Sequence, residues 1–263
     1  MSYTELNGVG LRYELTGKGE HAIVLVHEMG GTMESWDEVA PRLAASRKVL
    51  RYDTRGAGMS TKVRGRLTID TMADDIAGLL DVCGIKGKVA LAGIAVGGAI
   101  ALHFAARHPD RASAVIAGSP ATSIEKDRQS AVLARVAELE TAGMAFAVDG
   151  SMQNGYPEEV RDNQGRYETY RARWLGNDPA SYATIYRMLA ATDLDRELTH
   201  LACPVLVLGG EYDRSRPAAV SEAIAKTIPG ARYKLLRTGH YMAAITPELI
   251  ADTIGEFLKS VGA

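Results

Sequence analysis

Three short stretches carry residue types from which a site for nucleophilic catalysis can be assembled. The first, Gly93-Ile94-Ala95-Val96-Gly97-Gly98, joins an apolar run at 88–92 to an Ala-rich helical pattern at 99–107. In a strand-turn-helix, small residues two before and two after the centre let the two backbones approach closely, and the central side chain then stands exposed above the turn. The chemistry of such a turn asks for Ser, Cys or Asp at its centre, and here the residue is Ala95. The second stretch, Gly209-Gly210-Glu211-Tyr212-Asp213, follows the run 205–208, and the third, Thr238-Gly239-His240, follows the run 232–236. Asp213 is placed to orient His240, and His240 to deprotonate a nucleophile at position 95. After the first buried run comes His27-Glu28-Met29-Gly30-Gly31. The Met29 N–H, joined by that of Val96, offers two donors for a developing oxyanion.

These loops need elements that bring them to one edge. The runs 21–26, 48–52, 88–92 and 114–117 are rich in Val, Ile, Leu and Ala on both faces, as strands buried in a parallel sheet must be. Helical patterns lie between them, one beginning near Ser35 and another near Thr68, with Asp70, Asp74 and Asp75 in its early turns. The alternation predicts an α/β sheet with right-handed crossovers. Residues 119–197 break the rhythm: Arg, Glu, Ala, Tyr and Met recur at helical spacing with no β-branched run, which predicts a helical insertion. The strand-helix alternation then resumes, with helices opening at Pro217 and Pro247, where a missing N–H costs nothing. Residues 3–15, with their Asn7-Gly8 turn, predict an antiparallel hairpin at the sheet edge.

Composition narrows the function classes. The 263 residues carry 30 Lys plus Arg against 32 Asp plus Glu, so the chain lacks the basic footprint of a dedicated nucleic-acid or anionic-membrane binder. No apolar run approaches the roughly 20 residues of a membrane span, and the N-terminal residues carry no secretory pattern. A soluble, cytoplasmic protein with a small-molecule substrate is expected, as monomer or homodimer. The two cysteines, Cys83 and Cys203, are read as buried structural thiols, and no Cys/His spacing suggests a metal site.

The chain resembles the α/β-hydrolases, and most closely the 3-oxoadipate enol-lactonase-like group. The resemblance rests on Val49-Leu50-Arg51-Tyr52-Asp53-Thr54-Arg55-Gly56-Ala57-Gly58-Met59-Ser60, on the turn from Gly93 to Gly98, on Arg107-His108-Pro109-Asp110-Arg111, on Cys203 to Asp213, and on Gly239-His240. It implies an α/β-hydrolase fold, a mostly parallel eight-stranded sheet flanked by helices, with 1–118 and 198–263 forming the core domain and 119–197 a helical cap. It also implies a serine hydrolase of a small ester, lactone or amide that needs no cofactor.

Two residues depart from the family pattern. Family members usually have Gly after the first-strand histidine, where this chain has Glu28; its side chain is a candidate to hold a donor group of substrate, but because exposed Glu is the default, solvent or a structural ion pair is the first expectation. The larger departure is Ala95. It is read as an inactivating Ser-to-Ala replacement, since Asp213 and His240 remain. Against this stand a non-catalytic ligand-binding homologue, and a cofactor-free lyase or C–C hydrolase in which the His-Asp pair acts directly. Within the insertion, Met144, Met152, Tyr156, Tyr167, Tyr170 and Trp174 are candidates to line a pocket, and Arg128, Arg135, Arg171 and Arg173 to meet a substrate carboxylate. For any single one of them, packing is the first expectation. His27 is expected to hold the oxyanion turn, and Asp53 and Arg55 to be structural. His21, His103, His108 and His200 are expected at the surface or at helix ends.

Overall fold

A computed structural model describes all of residues 1–263. The chain opens with the hairpin β1 (Ser2–Leu6) and β2 (Val9–Thr16), turning at Asn7 and Gly8, both with positive φ. β3 (Ala22–Val26) follows, then a 3-10 turn at Met33–Trp36, α1 (Ala40–Ala44) and β4 (Lys48–Tyr52). The helix expected near Ser35 is thus broken in two. Pro41 has no N–H to give to the carbonyl four residues back, so α-helix starts afresh with Pro41 in its first turn. Next come α2 (Ile69–Val82), β5 (Val89–Ile94), α3 (Val96–Arg107) and β6 (Ala112–Gly118). Thr68 caps α2 by accepting the Thr71 N–H, and Asp70 sits in the first turn, where a carboxylate suits the helix dipole.

Beyond β6 the chain forms only helices until β7: α4 (Lys126–Ala142), α5 (Ala145–Gly155), α6 (Gln164–Leu175), α7 (Pro179–Ala191) and α8 (Asp195–Leu198). It ends with β7 (Val205–Gly210), α9 (Ala218–Thr227), β8 (Arg232–Leu236), α10 (Met242–Ile245) and α11 (Pro247–Val261). The eight strands lie in the order β1-β2-β4-β3-β5-β6-β7-β8; β1, β2 and β4 pair antiparallel and every later pair is parallel. This is an α/β-hydrolase fold with a helical insertion, as expected from the sequence.

Strand periodicity explains how one sheet serves two cores. On β3, Ala22, Val24 and Val26 face α2 and α3, whereas Ile23 and Leu25 face α1 and α11. A strand buried on both faces must be apolar throughout, which is what made β3 readable. A third apolar cluster holds the insertion together around Met152, Tyr156, Tyr170 and Trp174, and reaches Tyr241 and Ile245 beyond the last strand. The cysteines are free and only half-buried, because Cys83 caps the surface end of α2 and Cys203 lies in the loop before β7; the fully buried placement expected of them is not found.

Candidate active site

The turn after β5 is set by backbone contact. A Cβ on Gly93 would lie 2.1 Å from the Gly97 carbonyl oxygen, and one on Gly97 would lie 2.2 Å from the Val26 carbonyl oxygen. Only glycine fits at either place, so strand and helix cross at their closest around Ala95. That residue takes φ 52° and ψ −112°, a conformation that costs a non-glycine residue about 1–3 kcal/mol. Hydrogen bonds hold it there: the Ala95 N–H donates to Gly118 O at 2.8 Å, and Ala95 O accepts from the amides of Ala99 and Ala121. Val96 opens α3, in the first turn where backbone N–H groups find no acceptor inside the helix.

Next to this turn, Asp213 and His240 meet. His240 Nδ1 donates to Asp213 Oδ2 at 2.7 Å, which leaves Nε2 as the other ring nitrogen for a reacting group. Asp213 is buried and its carboxyl is fully engaged. Oδ2 also accepts from Ser119 Oγ at 2.7 Å, and Oδ1 from the Arg216 N–H at 2.7 Å. Burial pushes the Asp213 carboxyl up, but the nearby His240, together with these hydrogen bonds, outweighs it and holds the group below the usual carboxylate range. Ser119 is a member of this cluster that sequence reading missed. It follows β6 with φ 41° and is fully buried. No motif marks it, because its partner lies 94 residues away.

The loop after β3 supplies the facing wall. His27 Nδ1 donates to the Glu28 carbonyl at 2.7 Å while Nε2 accepts the Thr54 N–H at 3.0 Å, so His27 holds the turn, as expected. Glu28 does not reach solvent and forms no ion pair. It is 1 % exposed, and its Oε1 accepts from Ser35 Oγ at 2.7 Å and from Tyr170 Oη at 2.8 Å. Those two hydroxyls replace the water that exposure was expected to provide, which is why the expectation fails. Burial raises the Tyr170 hydroxyl pKa well above its ordinary value, and the Glu28 charge adds to this. Met29, half-buried, lies between the sheet core and the insertion's cluster.

The insertion presses on this loop. The Trp174 indole lies where a side chain on Gly30 would be, and Asn177 Nδ2 donates to Gly30 O at 2.8 Å. Trp174, Tyr156 and Met144 are all buried in the insertion's own apolar cluster, and Tyr182 stacks edge-on against Trp174. Arg171 and Arg173 pair with Asp149 and Asp37. Arg128 and Arg135 are exposed and make no ion pair; Arg135 lies over the Phe146 ring.

The remaining polar groups behave in part as expected. Asp53 accepts the amides of Met33 and Met59 at 2.8 and 2.7 Å, and Arg55 pairs with Asp75. His103 is a correction. It is buried in the middle of α3, with Nδ1 2.7 Å from Glu197 and Nε2 2.7 Å from Asp70, because α2 and α8 flank it with carboxylates the linear sequence does not place together.

Comparison with known proteins agrees with the fold. An esterase from Thermogutta terrifontis, solved with malate bound, superposes with a TM-score of 0.91 at 28% identity, covering 99% of this chain and 97% of that one. An enol-lactonase from Burkholderia xenovorans LB400 superposes with a TM-score of 0.90 at 27% identity, covering 98% and 100%. By sequence, 3-oxoadipate enol-lactonase 1 of Acinetobacter baylyi is 24% identical over 98% of this chain and 96% of its own length. Residues 17–241 match the Hydrolase_4 family, described as serine aminopeptidase, S33. With that match over most of its length and the eight-stranded sheet beneath it, the chain belongs to this family of the α/β-hydrolase superfamily.

Proposed function

We propose that this site is built for hydrolysis of a small ester, lactone or amide, with position 95 as the nucleophile's place, His240 as base and Asp213 as the group that orients it. The amides of Met29 and Val96 form the oxyanion hole, and residues 119–197 act as a cap over the acyl group. The reading rests above all on the 2.7 Å hydrogen bond from His240 to an Asp213 that Ser119 and the Arg216 amide also engage. A carboxylate so restrained fixes the imidazole's tautomer and stabilises the imidazolium that forms as it takes a proton.

Ala95 keeps the strained backbone of a nucleophile and lacks its oxygen. The chain therefore binds an acyl substrate with little turnover, limited to what oxyanion stabilisation alone supplies. A serine at this place would attack the carbonyl, pass its proton to His240, and be released from the acyl group by a water that His240 activates.

The test is Ala95→Ser, assayed on p-nitrophenyl esters, enol-lactones and small amides. Hydrolysis at least a hundredfold above the alanine form is expected on one of these classes. A serine form as inert as the parent on all of them overturns the reading. In the active serine form, His240→Gln should cost at least a thousandfold in kcat; a loss under tenfold removes His240 as base.

A further inference from the structure

On the far side of the Asp213 loop lies a cavity of about 380 Å³, between the start of the insertion and α9. None of Met29, Ala95, Val96, Asp213 or His240 lines it, yet Arg216 does. Its backbone N–H donates to Asp213 Oδ1, which ties this wall of the cavity to the Asp213 loop.

Two arginines and two acids line this cavity, and they differ in exposure. Arg216 is half-buried, and its guanidinium has no carboxylate within ion-pair distance. Burial pulls its pKa below the ordinary arginine value, with Asp213 only partly restoring it through space and Arg128 lowering it further. Arg128 lines the same cavity, also unpaired. Tyr186 lines the cavity with them; burial raises its hydroxyl pKa, and the nearby charges of Arg135, Arg216 and Arg128 lower it. The two acids on the wall, Glu125 and Asp195, are exposed, as is Arg128, so water screens all three, whereas Arg216 is half-buried. Ile124, Leu198 and Ile224 supply an apolar wall beside these cations.

A half-buried guanidinium without an ion-pair partner keeps its donors free for a ligand, and a planar carboxylate matches its paired N–H groups. Cations and aliphatic side chains in one lining suit a carboxylate on a short aliphatic stem, in a volume typical of small-ligand sites. We infer that Arg216, with Arg128 and Tyr186, forms a binding site for the carboxylate of an aliphatic acid, adjoining the Asp213–His240 pair.

The proposal needs no turnover, so it is tested on the alanine-containing chain and stands or falls apart from the hydrolase reading. Hexanoate, hexanamide and 1-hexanol are titrated by calorimetry and by ligand-observed NMR. Hexanoate is expected to bind at least tenfold more tightly than either neutral probe. Arg216→Gln should cost hexanoate at least tenfold in affinity, Arg216→Lys should retain part of it, and Arg128→Gln should cost less than Arg216→Gln. Thermal melts establish that each variant is folded; should Arg216→Gln fail to fold, Arg216→Lys and Arg128→Gln carry the comparison. Equal binding of the neutral probes, no hexanoate binding at millimolar concentration, or affinity unchanged in the folded Arg216 variant overturns the proposal. In the Ala95→Ser form, inhibition by hexanoate that weakens at least tenfold in Arg216→Gln supports the site, whereas inhibition unchanged in that variant places hexanoate as an acid product at position 95 and overturns it.

Discussion

The turn around Ala95 and the insertion over it are held by different forces. Around Ala95 the constraints are backbone against backbone: Gly93 faces the Gly97 carbonyl, Gly97 faces the Val26 carbonyl, and the Ala95 amide is bonded to Gly118. The insertion instead joins the sheet mostly through side chains, with Tyr170 on Glu28, Arg166 on Glu38, Arg64 on Asp178 and Asn177 on the Gly30 carbonyl, and through backbone at its Asn154 and Gly155 carbonyls, which accept the amides of Arg214 and of His240 and Tyr241. A backbone-built turn tolerates almost no change in size. A side-chain-built junction loses one interaction at a time, and its exposed ion pairs are each worth about 0–1 kcal/mol. The turn is thus rigid and its junction with the insertion adjustable, and the two meet at Glu28.

Substitutions on the two sides of that junction sharpen the contrast. The largest loss is expected for Gly97→Ala, which pushes a methyl group to 2.2 Å from the Val26 carbonyl and must displace backbone. A cost of about 3 kcal/mol or more follows from overpacking, with a fall of about 6–12 °C in melting temperature. A melt within 2 °C of the parent would show that the turn is not backbone-limited. Glu28→Ala comes next, since it strips Ser35 and Tyr170 of their acceptor, at about 2–3 kcal/mol by denaturant unfolding. Glu28→Gln keeps an acceptor in place and should cost less than half as much. If both variants cost the same, the hydroxyl contacts are not what retains the carboxyl there.

Smaller effects test the strain at Ala95 and the charge at Asp213. Ala95→Gly relieves the positive φ and gives back chain entropy to the unfolded state, so a net stabilisation of at most about 1 kcal/mol is expected. A clear destabilisation would show that the Ala95 methyl packs better than its backbone is strained. The last test uses pH. Because the Asp213 pKa is held below its ordinary 3.8, its contribution to stability is present above that value and lost as pH falls through the lower folded value. The melting-temperature gap between the parent and Asp213→Asn should therefore be constant above pH 5 and narrow progressively below pH 4. A gap that widens in acid would reverse the sign assigned to this group.

What could be read from the residues follows the same division. The small residues at 93 and 97, the apolar run of β3 and the order of Ala95, Asp213 and His240 all mark places where backbone geometry leaves one solution. Glu28, His103 and Ser119 were misjudged or missed for one shared reason. Each owes its state to groups far along the chain: Tyr170 for Glu28, Asp70 and Glu197 for His103, and Asp213 for Ser119. Residue type gives the average exposure of a Glu or a His, and the average fails where a specific hydroxyl or carboxyl replaces water. Arg216 was overlooked in the same way, because a guanidinium in a loop signals nothing until its lack of a partner is known.

The sequence by itself determined the α/β-hydrolase scaffold, its eight-stranded sheet and the turn that carries Ala95, because alternating apolar runs and steric limits on glycine act locally along the chain. Tertiary structure alone decided that Glu28 is enclosed by Ser35 and Tyr170, that Ser119 and the Arg216 amide restrain Asp213, and that Arg128, Arg216 and Tyr186 line one cavity. Those outcomes depend on which polar groups are left facing one another once water is removed, and no local pattern of residues encodes that.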